Sequence, residues 1–314
     1  MFLGIEIGGT KLQLGLGLGD GILVGLHRET IVPAEGGDGI RRRIVAAVPQ
    51  LLADAGITAS QLQAIGVGFG GPVDDRGRII TSHQIAGWDR FPLADWLSET
   101  FKLPAKVGND ADVAGLAEAK FGAGQGANPV FYITIGSGIG GGLILDGKIH
   151  RGTGRGAAEI GHLRVPVPGS PDADWVPVER IASGWAIEQA TLRALDDENG
   201  NDELWRRLRG DSPRLTTQII AAAARLGDPI ARTVFARAHR ALAEAICDVI
   251  ALICPQRIVL GGGVSLLDED LWLSPIRVLV ANRVFRPFAD CCEIVTAQLG
   301  ESVVVHGALA LAHC

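Results

Sequence analysis

This chain of 314 residues contains the same series of elements twice. Each series is a hairpin closed by glycines, then a helix, then a strand that ends in glycines. No other feature of the sequence restricts the possible folds as strongly. In the first half, alternating apolar residues predict strands at 2–7 and 12–18, joined by Gly8-Gly9-Thr10-Lys11. A strand at 64–69 follows a helical pattern and ends in Gly70-Gly71.

The second half repeats this order. Strands at 130–135 and 141–145 flank the turn Gly136-Ser137-Gly138, and the strand Arg257–Leu260 ends in Gly261-Gly262-Gly263. Strands that alternate with helices predict two α/β domains with central sheets, and a repeat of this length indicates a diverged duplication. Ligands of open α/β sheets bind beyond the strand ends, so the four glycine turns are expected to face a shared cleft.

The remaining elements follow from hydrophobic periodicity. Helices are predicted at about 39–55, 92–101, 110–121, 179–195, 215–226 and 228–253, with a short strand at 105–108. The stretch 196–214 is the most polar of the chain and is predicted to be a surface loop.

Composition excludes several classes of protein. A net charge of −6 provides no basic field for nucleic acid or anionic membranes, and the arginines at 41–43 fit a solvated helix face. No apolar run is long enough to span a membrane, and the chain shows no signal peptide. The five cysteines form no C-x-x-C pair, which favours reduced thiols. We therefore expect a soluble cytoplasmic protein.

The glycines at 136–141 match the pattern G-x-G-x-x-G, which alone is a weak signal. A dinucleotide-binding fingerprint requires a helix directly after the glycines, whereas an apolar strand at 143–145 follows here. Neither the P-loop pattern nor the catalytic motifs of protein kinases are present. The interpretation that remains for these glycines is a hairpin turn whose backbone N–H groups bind phosphate oxygens. Because two such turns occupy equivalent places in a duplicated chain, phosphate binding is favoured over an ordinary hairpin.

Two polar motifs have both a structural and a functional interpretation. Asn109 can cap a helix whose first residue is Asp110, and the same carboxylate can act as a base at a strand-to-helix junction. Glu159 and His162 follow a glycine-rich loop. One interpretation is that they bind a polyol together with Glu179, and the other is that they are ordinary structural or surface residues. The residues alone leave both alternatives open.

Taken together and in this order, these motifs resemble the ROK family (repressor, open reading frame, kinase) of sugar kinases and sugar-responsive regulators. The matching segments are Gly4 to Lys11, Gly70 to Asp74, Gly87-Trp88, Asn109-Asp110, Ile135 to Gly142, Glu159 to His162 and Ile258 to Gly263. The resemblance covers essentially the whole chain. It implies the actin-like ATPase (ribonuclease H-like) fold, with a duplicated βββαβα core and a cleft between the domains. The implied domains are 1–115 with 303–314, completed by the C-terminal helix, and 116–302.

The resemblance also implies roles for individual residues. Asp110 matches the catalytic base of the family. The matches to its sugar contacts are Gly71, Asn109, Glu159, His162 and Glu179. The matches to its ATP-binding positions are Gly8, Gly9, Thr10, Lys11, Gly136, Ser137, Gly138, Gly140, Gly261 and Gly262.

The activity implied is the transfer of a phosphoryl group from ATP–Mg²⁺ to a hexose, with the 6-hydroxyl of glucose as the first choice. Fructose, N-acetylglucosamine and N-acetylmannosamine are alternative acceptors. The regulators of the family carry an N-terminal helix-turn-helix, whereas the first strand here starts at Phe2, so a sugar-sensing regulator is disfavoured. The family usually forms homo-oligomers, and we expect a homodimer.

Two departures from the family pattern concern metals. Glu6 stands where the first phosphate motif commonly has Asp, and it is expected to help hold hydrated Mg²⁺. Many members place a cysteine-rich zinc loop after the motif that corresponds to Glu159–His162. Residues 163–178 contain no cysteine here, and His162 alone cannot hold zinc. We therefore predict that the chain binds no zinc.

Overall fold

The computed structural model describes residues 1–82, 85–154, 156–167, 174–197 and 215–313. The chain divides into two compact units. The first unit comprises Met1–Tyr132, Gly142–Ala158 and Ala297–Cys314, and the second comprises Ile133–Gly141 and Glu159–Thr296. The domain boundaries inferred from the sequence stay a prediction.

The first unit contains a five-stranded sheet. Its strands are β1 (Phe2–Ile7), β2 (Lys11–Gly17), β3 (Leu23–Thr30), β4 (Ala64–Phe69) and β5 (Ala105–Asn109), in the order β3-β2-β1-β4-β5. The three N-terminal strands pair antiparallel as two consecutive hairpins. Strands β4 and β5 continue the sheet parallel to β1, so β1, β4 and β5 end at the same edge.

Four helices belong to this unit, namely α1 (Gly36–Asp54), α2 (Leu93–Phe101), α3 (Asp110–Phe121) and α9 (Val303–His313). Successive side chains of a strand point to opposite faces of the sheet. Leu3, Ile5 and Ile7 belong to the core that includes the buried face of α1. Phe2 instead packs with α9. Helices α1 and α9 therefore cover opposite faces, which leaves both faces of β1 buried.

Glycines on β1 and β4 allow α9 to lie directly on the sheet. A Cβ atom at Gly66 would lie 1.8 Å from the carbonyl oxygen of Ala308, and one at Gly4 would lie 2.9 Å from that of Val305. No side chain fits in these gaps. Part of the unusual glycine content is thus explained by close packing of a helix on strands.

The second sheet has the order β12-β11-β6-β7-β8. Its strands are β6 (Val130–Ile135), β7 (Ile139–Leu145), β8 (Lys148–Ile149), β11 (Arg257–Gly261) and β12 (Glu293–Thr296). If β6, β7 and β8 are taken as the counterparts of β1, β2 and β3, and β11 and β12 as those of β4 and β5, the two sheets have the same order. This matches the duplication inferred from the sequence.

Within the described residues of the second unit, the helices are α4 (Glu179–Ala182), α5 (Gly184–Asp197), α6 (Thr217–Arg225), α7 (Pro229–Ile253) and α8 (Leu273–Arg283). The long helix α7 packs against the other four. A small antiparallel pair, β9 (Arg164–Pro166) and β10 (Trp175–Pro177), precedes α4. None of the helices in the described ranges combines the length and the apolar character required to cross a membrane.

Most predicted elements lie within three residues of their expected bounds. The helix expected at 179–195 is instead two helices, because Ser183 adopts an extended backbone conformation between α4 and α5. The sequence analysis did not identify β3, β12 or α8. Most of the polar stretch 196–214 lies outside the described residues.

Candidate functional site

Asn109 and Asp110 form the junction between β5 and α3. The side-chain Oδ1 of Asn109 accepts hydrogen bonds from the N–H groups of Ala111 (2.9 Å) and Asp112 (3.3 Å), so Asn109 is the N-cap of the helix. Its Nδ2 donates to the carbonyl oxygen of Gly71 at 3.1 Å. The capping interpretation is therefore right, and the same cap fixes Asp110 at the carboxyl edge of the sheet.

The Asp110 carboxylate lies beside the end of the neighbouring strand β4. A Cβ atom at Gly70 would lie 3.5 Å from Asp110 Oδ2 and 3.5 Å from the Cα of Gly8. The N–H of Gly70 donates to the carbonyl oxygen of Ile7 at 2.8 Å, which ties the end of β4 to the end of β1. The fold thus brings together predicted residues from three separate segments. We call this group the strand-end cluster: Gly8, Gly70, Gly71, Asn109 and Asp110.

A narrow cavity lies beside the strand-end cluster, and in this structure it has no room for a water molecule. Its walls are Ile7, Gly8, Gly9, Phe69, Gly70, Ser82, Ile85 and Trp88. Trp88 is 1% exposed and contacts Phe69 edge-on, with 5.3 Å between the ring centroids. The sequence analysis identified Trp88 only as part of a family signature, and the structure places it in the wall of this cavity.

The first glycine turn is closed by its own backbone and anchored by Lys11. The N–H of Gly8 donates to the carbonyl oxygen of Lys11 at 3.0 Å, and Thr10 at the tip is exposed. Lys11 Nζ lies 3.0 Å from Glu6 Oε1 and donates to the carbonyl oxygen of Glu301 at 3.2 Å. A cation therefore lies beside the turn that was predicted to bind phosphate.

Glu6 is 5% exposed, and both of its carboxylate oxygens have partners. Oε1 pairs with Lys11, and Oε2 accepts a hydrogen bond of 2.6 Å from Gln13 Nε2. Burial raises the pKa of Glu6, while Lys11 and Gln13 act in the opposite direction. A carboxylate with both oxygens engaged does not fit a direct metal ligand. Among the side chains that the structure describes, no group of three or more His, Cys, Asp or Glu residues is placed to hold a metal ion.

Sequence reasoning missed Gln13. It lies on β2 between apolar residues, where a polar residue is typical of a solvent-facing position, yet it is 1% exposed. Besides Glu6, its side chain binds the carbonyl oxygen of Glu301 at 2.9 Å and accepts from Arg28 Nε at 2.7 Å. The alternation gives no sign of this role because helices cover both faces of the sheet.

In the second unit, the turn between β6 and β7 contains the second set of predicted phosphate-binding residues: Gly136, Ser137, Gly138 and Gly140. The N–H of Gly136 donates to the carbonyl oxygen of Gly138 at 2.9 Å. Glu179, the first residue of α4, accepts from the N–H of Ile139 at 2.8 Å through Oε2. The same oxygen would lie 2.5 Å from a Cβ at Gly138, so this position has no room for a side chain. Glu179 therefore lies against the glycine turn.

Gly261 and Gly262 lie next to the start of this turn. Gly262 has φ +84°, and a Cβ there would lie 2.5 Å from the carbonyl oxygen of Ile135. The same carbonyl oxygen accepts from the N–H of Val264 at 2.9 Å. The N–H of Gly184, at the start of α5, donates to the carbonyl oxygen of Gly136 at 2.7 Å. The glycine-ended strand β11 and the glycine turn are thus held together by backbone contacts, and sequence reasoning had not identified Gly184.

Glu159 precedes a single 3₁₀ turn, Ile160–His162, and His162 is its last residue. Both side chains are exposed. Gly161 between them fits closely against β7, because a Cβ there would lie 2.1 Å from the carbonyl oxygen of Ile139. Glu179 binds the N–H of the same residue, Ile139. Glu179 and Gly161 thus both contact the strand that follows the predicted phosphate turn.

Comparison with known proteins identifies the family of the chain. The family model of the ROK family matches residues 2–314. A glucokinase of Halalkalibacterium halodurans is 32% identical over 313 residues, which cover 98% of this chain and 93% of that protein. A putative fructokinase of Bacillus subtilis is 27% identical, with 100% and 95% covered.

Comparison with solved structures identifies the fold. The crystal structure of a ROK family glucokinase from Streptomyces griseus, in complex with glucose and AMPPNP, superimposes with a TM-score of 0.78. It is 32% identical, and the match covers 99% of this chain and 98% of that one. The chain therefore has the actin-like ATPase fold, and the fold class predicted from the sequence is confirmed.

Proposed function

The chain belongs to the ROK family, and from this premise we propose that it is an ATP-dependent sugar kinase that phosphorylates the 6-hydroxyl of glucose. The observation that carries this proposal is the strand-end cluster. There the Asp110 carboxylate lies beside Gly70, which is bonded to the end of β1 just before the first glycine turn. A potential base and a potential phosphate-binding turn are thus adjacent within one unit.

Phosphoryl transfer passes through a loose transition state, so the protein contributes mainly by positioning groups and stabilising charge. In the proposed mechanism Asp110 accepts the proton of the attacking sugar hydroxyl. Its carboxylate is held by the capped start of α3, with Oδ1 accepting from the N–H of Ala111 at 2.9 Å. A base fixed in this way loses little conformational freedom when the sugar binds.

The two glycine turns, with Gly261 and Gly262, are proposed to bind ATP. Backbone N–H groups in a tight turn form a concave site for anions, and a glycine turn allows a phosphate to approach the backbone closely. Lys11 adds a positive charge beside the first turn. Mg²⁺ would accompany the phosphates of ATP. Because Glu6 is engaged by Lys11 and Gln13, no step is assigned to the metal, and Glu6 is proposed to orient Lys11.

The sugar is proposed to contact Gly71 and Asn109 in the first unit and Glu159, His162 and Glu179 in the second. Glu159 and His162 are exposed and so are accessible to a ligand. Glu179 holds the glycine turn through Oε2, so a sugar hydroxyl would use its other carboxylate oxygen. Several directed hydrogen bonds to one ring would fix its orientation, which raises the effective concentration of the reacting hydroxyl.

Glucose is preferred as the acceptor because a glucokinase is among the most similar relatives. Fructose, N-acetylglucosamine and N-acetylmannosamine remain alternatives, since hexokinase-type specificity depends on contacts around one or two ring substituents. Action as a homodimer in the cytoplasm, without nucleic acid, stays a prediction.

A coupled assay of ATP consumption with each of the four sugars tests the proposal. We expect the highest kcat/KM with glucose, and ³¹P NMR of the product should show a phosphate ester at the 6-hydroxyl. A higher kcat/KM with another of the four sugars would reassign the substrate within the kinase class. Binding of sugar without any sugar-dependent ATP consumption would overturn the kinase proposal in favour of a sugar-sensing protein.

A further inference from the structure

The first turns of α1 touch the loop at residues 85–91, of which Ile85 and Trp88 line the cavity. The N–H of Gly37 donates to the carbonyl oxygen of Ala86 at 2.8 Å. A Cβ at Gly37 would lie 2.8 Å from the carbonyl oxygen of Gly87 and 3.1 Å from Cε2 of Trp88. The start of α1 therefore lies directly against the backbone of this loop and against the indole ring.

Arg41, one helical turn further on, covers the aromatic residues of the same loop. Its guanidinium carbon lies 4.0 Å from the ring centroid of Phe91 and 5.1 Å from that of Trp88. Its Nη1 is 3.4 Å from the carbonyl oxygen of Gly87, and its Nη2 pairs with Asp38 on the preceding turn of α1. A planar guanidinium stacks on aromatic rings while keeping its in-plane donors for hydrogen bonds.

The indole of Trp88 contacts Arg41 and also lines the cavity. Trp88 is buried between Phe91, at 5.5 Å, and Phe69, at 5.3 Å between ring centroids. Its ring lines the cavity together with Gly8 and Gly70, which belong to the strand-end cluster. The buried indole N–H has no acceptor among the residues that the structure describes. Most buried indole N–H groups find a partner, so this donor is left unsatisfied.

We propose that Arg41 is a positioning residue for the sugar, because it fixes the ring of Trp88 against the strand-end cluster, whose Gly71 and Asn109 are proposed to contact the sugar. This inference rests on the proposed kinase function. It contradicts the view, taken from the sequence alone, that the arginines at 41–43 are only a solvated face. Arg41 has a side-chain exposure of 14%, whereas its neighbour Arg42 is exposed.

The test compares Arg41→Ala and Arg41→Lys with the matched control Arg42→Ala. With glucose as the varied substrate, Arg41→Ala should raise KM by about 2- to 30-fold, the factor that corresponds to a lost cation–π contact. The kcat should change by less than about twofold, because Arg41 does not touch the reacting groups. Arg41→Lys keeps the charge but loses the planar stack, so its KM should lie between those of Arg41→Ala and the wild type.

Hydrogen–deuterium exchange of the unliganded protein provides a readout that does not depend on activity. The segment 85–93 should exchange faster in Arg41→Ala than in the wild type or in Arg42→Ala. An unchanged KM for glucose with unchanged exchange would overturn the inference. Equal losses in kcat and in the KM values for glucose and for ATP, with exchange raised across the whole first unit, would also overturn it, because that pattern belongs to a general structural role.

The same experiment separates this inference from the proposed function. If the wild type phosphorylates none of the four sugars, the kinase proposal fails, while the exchange comparison still tests whether Arg41 holds the loop. If the wild type is an active glucose kinase and Arg41→Ala matches it in both readouts, only the positioning role fails.

Discussion

Gly262 illustrates how single residues of this chain determine the shape of the candidate site. Its φ of +84° lies in the region that favours glycine. The strand-ending glycines at 261–263 were recognisable in the sequence, but the sequence does not tell which of them is essential. The difference lies in the surroundings: Gly262 presses on the backbone of Ile135, whereas a Cβ at Gly263 would meet nothing within 4 Å.

Gly262→Ala should therefore lower the free energy of unfolding by about 2–4 kcal/mol, the combined cost of a left-handed backbone and of overpacking. Urea denaturation measures this change. Gly263→Ala is the matched control, because the position is exposed and has no positive φ. Equal stability of the two variants would contradict the contact with Ile135.

The candidate catalytic residues could be located from the sequence, and their supporting residues could not. Asn109 and Asp110 follow an apolar strand and precede a helix, so their position at a sheet edge follows from local patterns. Gln13 and Arg41 carry no such local signal. Each becomes significant only through contacts with residues distant in the sequence, namely Glu301 and Trp88.

At the scale of elements, long periodic segments were predictable and short ones were not. Helix α3 and strand β4 match their predicted bounds because each is a continuous pattern that ends directly before a glycine. Strand β3 was missed because its exposed positions include Val24 and Leu26 while His27 and Glu29 are half-buried, which reverses the usual alternation. Strand β12 has only four residues, and the parallel partner β11 stabilises it from a distant part of the chain.

The division of the predicted helix 179–195 also has a tertiary cause. Ser183 interrupts the helix so that the N–H of Gly184 can bind the carbonyl oxygen of Gly136 in the glycine turn. The Ser183 hydroxyl then accepts from the N–H of Ala186 at 3.1 Å, which caps the new helix start. Helical periodicity continues through the break, so the sequence pattern alone gives no reason to place it there.

At the scale of the whole molecule, one buried histidine should make stability depend on pH. His239 packs between Phe235 and Trp272, and burial lowers its pKa to about 4, opposed by a hydrogen bond with the backbone of Leu271. Because the pKa in the folded state lies below the usual value of 6.5, its contribution to stability is present above pH 6.5 and is lost as the pH falls towards 4.

Between pH 7 and pH 5, protonation of this residue in the unfolded state should lower the free energy of unfolding by about 2 kcal/mol. In the variant His239→Leu, the free energy of unfolding should not show this decrease between pH 7 and pH 5. Urea denaturation at both pH values measures it. His150→Leu is the control, since His150 is exposed and should leave the pH response as in the wild type. An identical pH response in the wild type and His239→Leu would contradict the assignment.

The duplication was the most informative global feature of the sequence, because it predicted two sheets with equivalent glycine turns. The structure has two five-stranded sheets of the same order, and the family match extends over residues 2–314. Specificity for one sugar was not predictable in this way. It depends on a few hydrogen bonds around the ring, and the residues proposed to make them, such as Gly71 and Asn109, are far apart in the sequence.

The central claim is that the carboxylate at the start of α3 takes the proton of the sugar hydroxyl. Replacement of Asp110 by Asn keeps the size and the capped helix start but removes the base. Steady-state kinetics with glucose and ATP, combined with calorimetric titration of glucose, measures the effect. We expect kcat to fall by about 10²- to 10⁴-fold, with the Kd for glucose changed by less than about threefold. A kcat within tenfold of the wild type, at unchanged glucose affinity, would contradict the account.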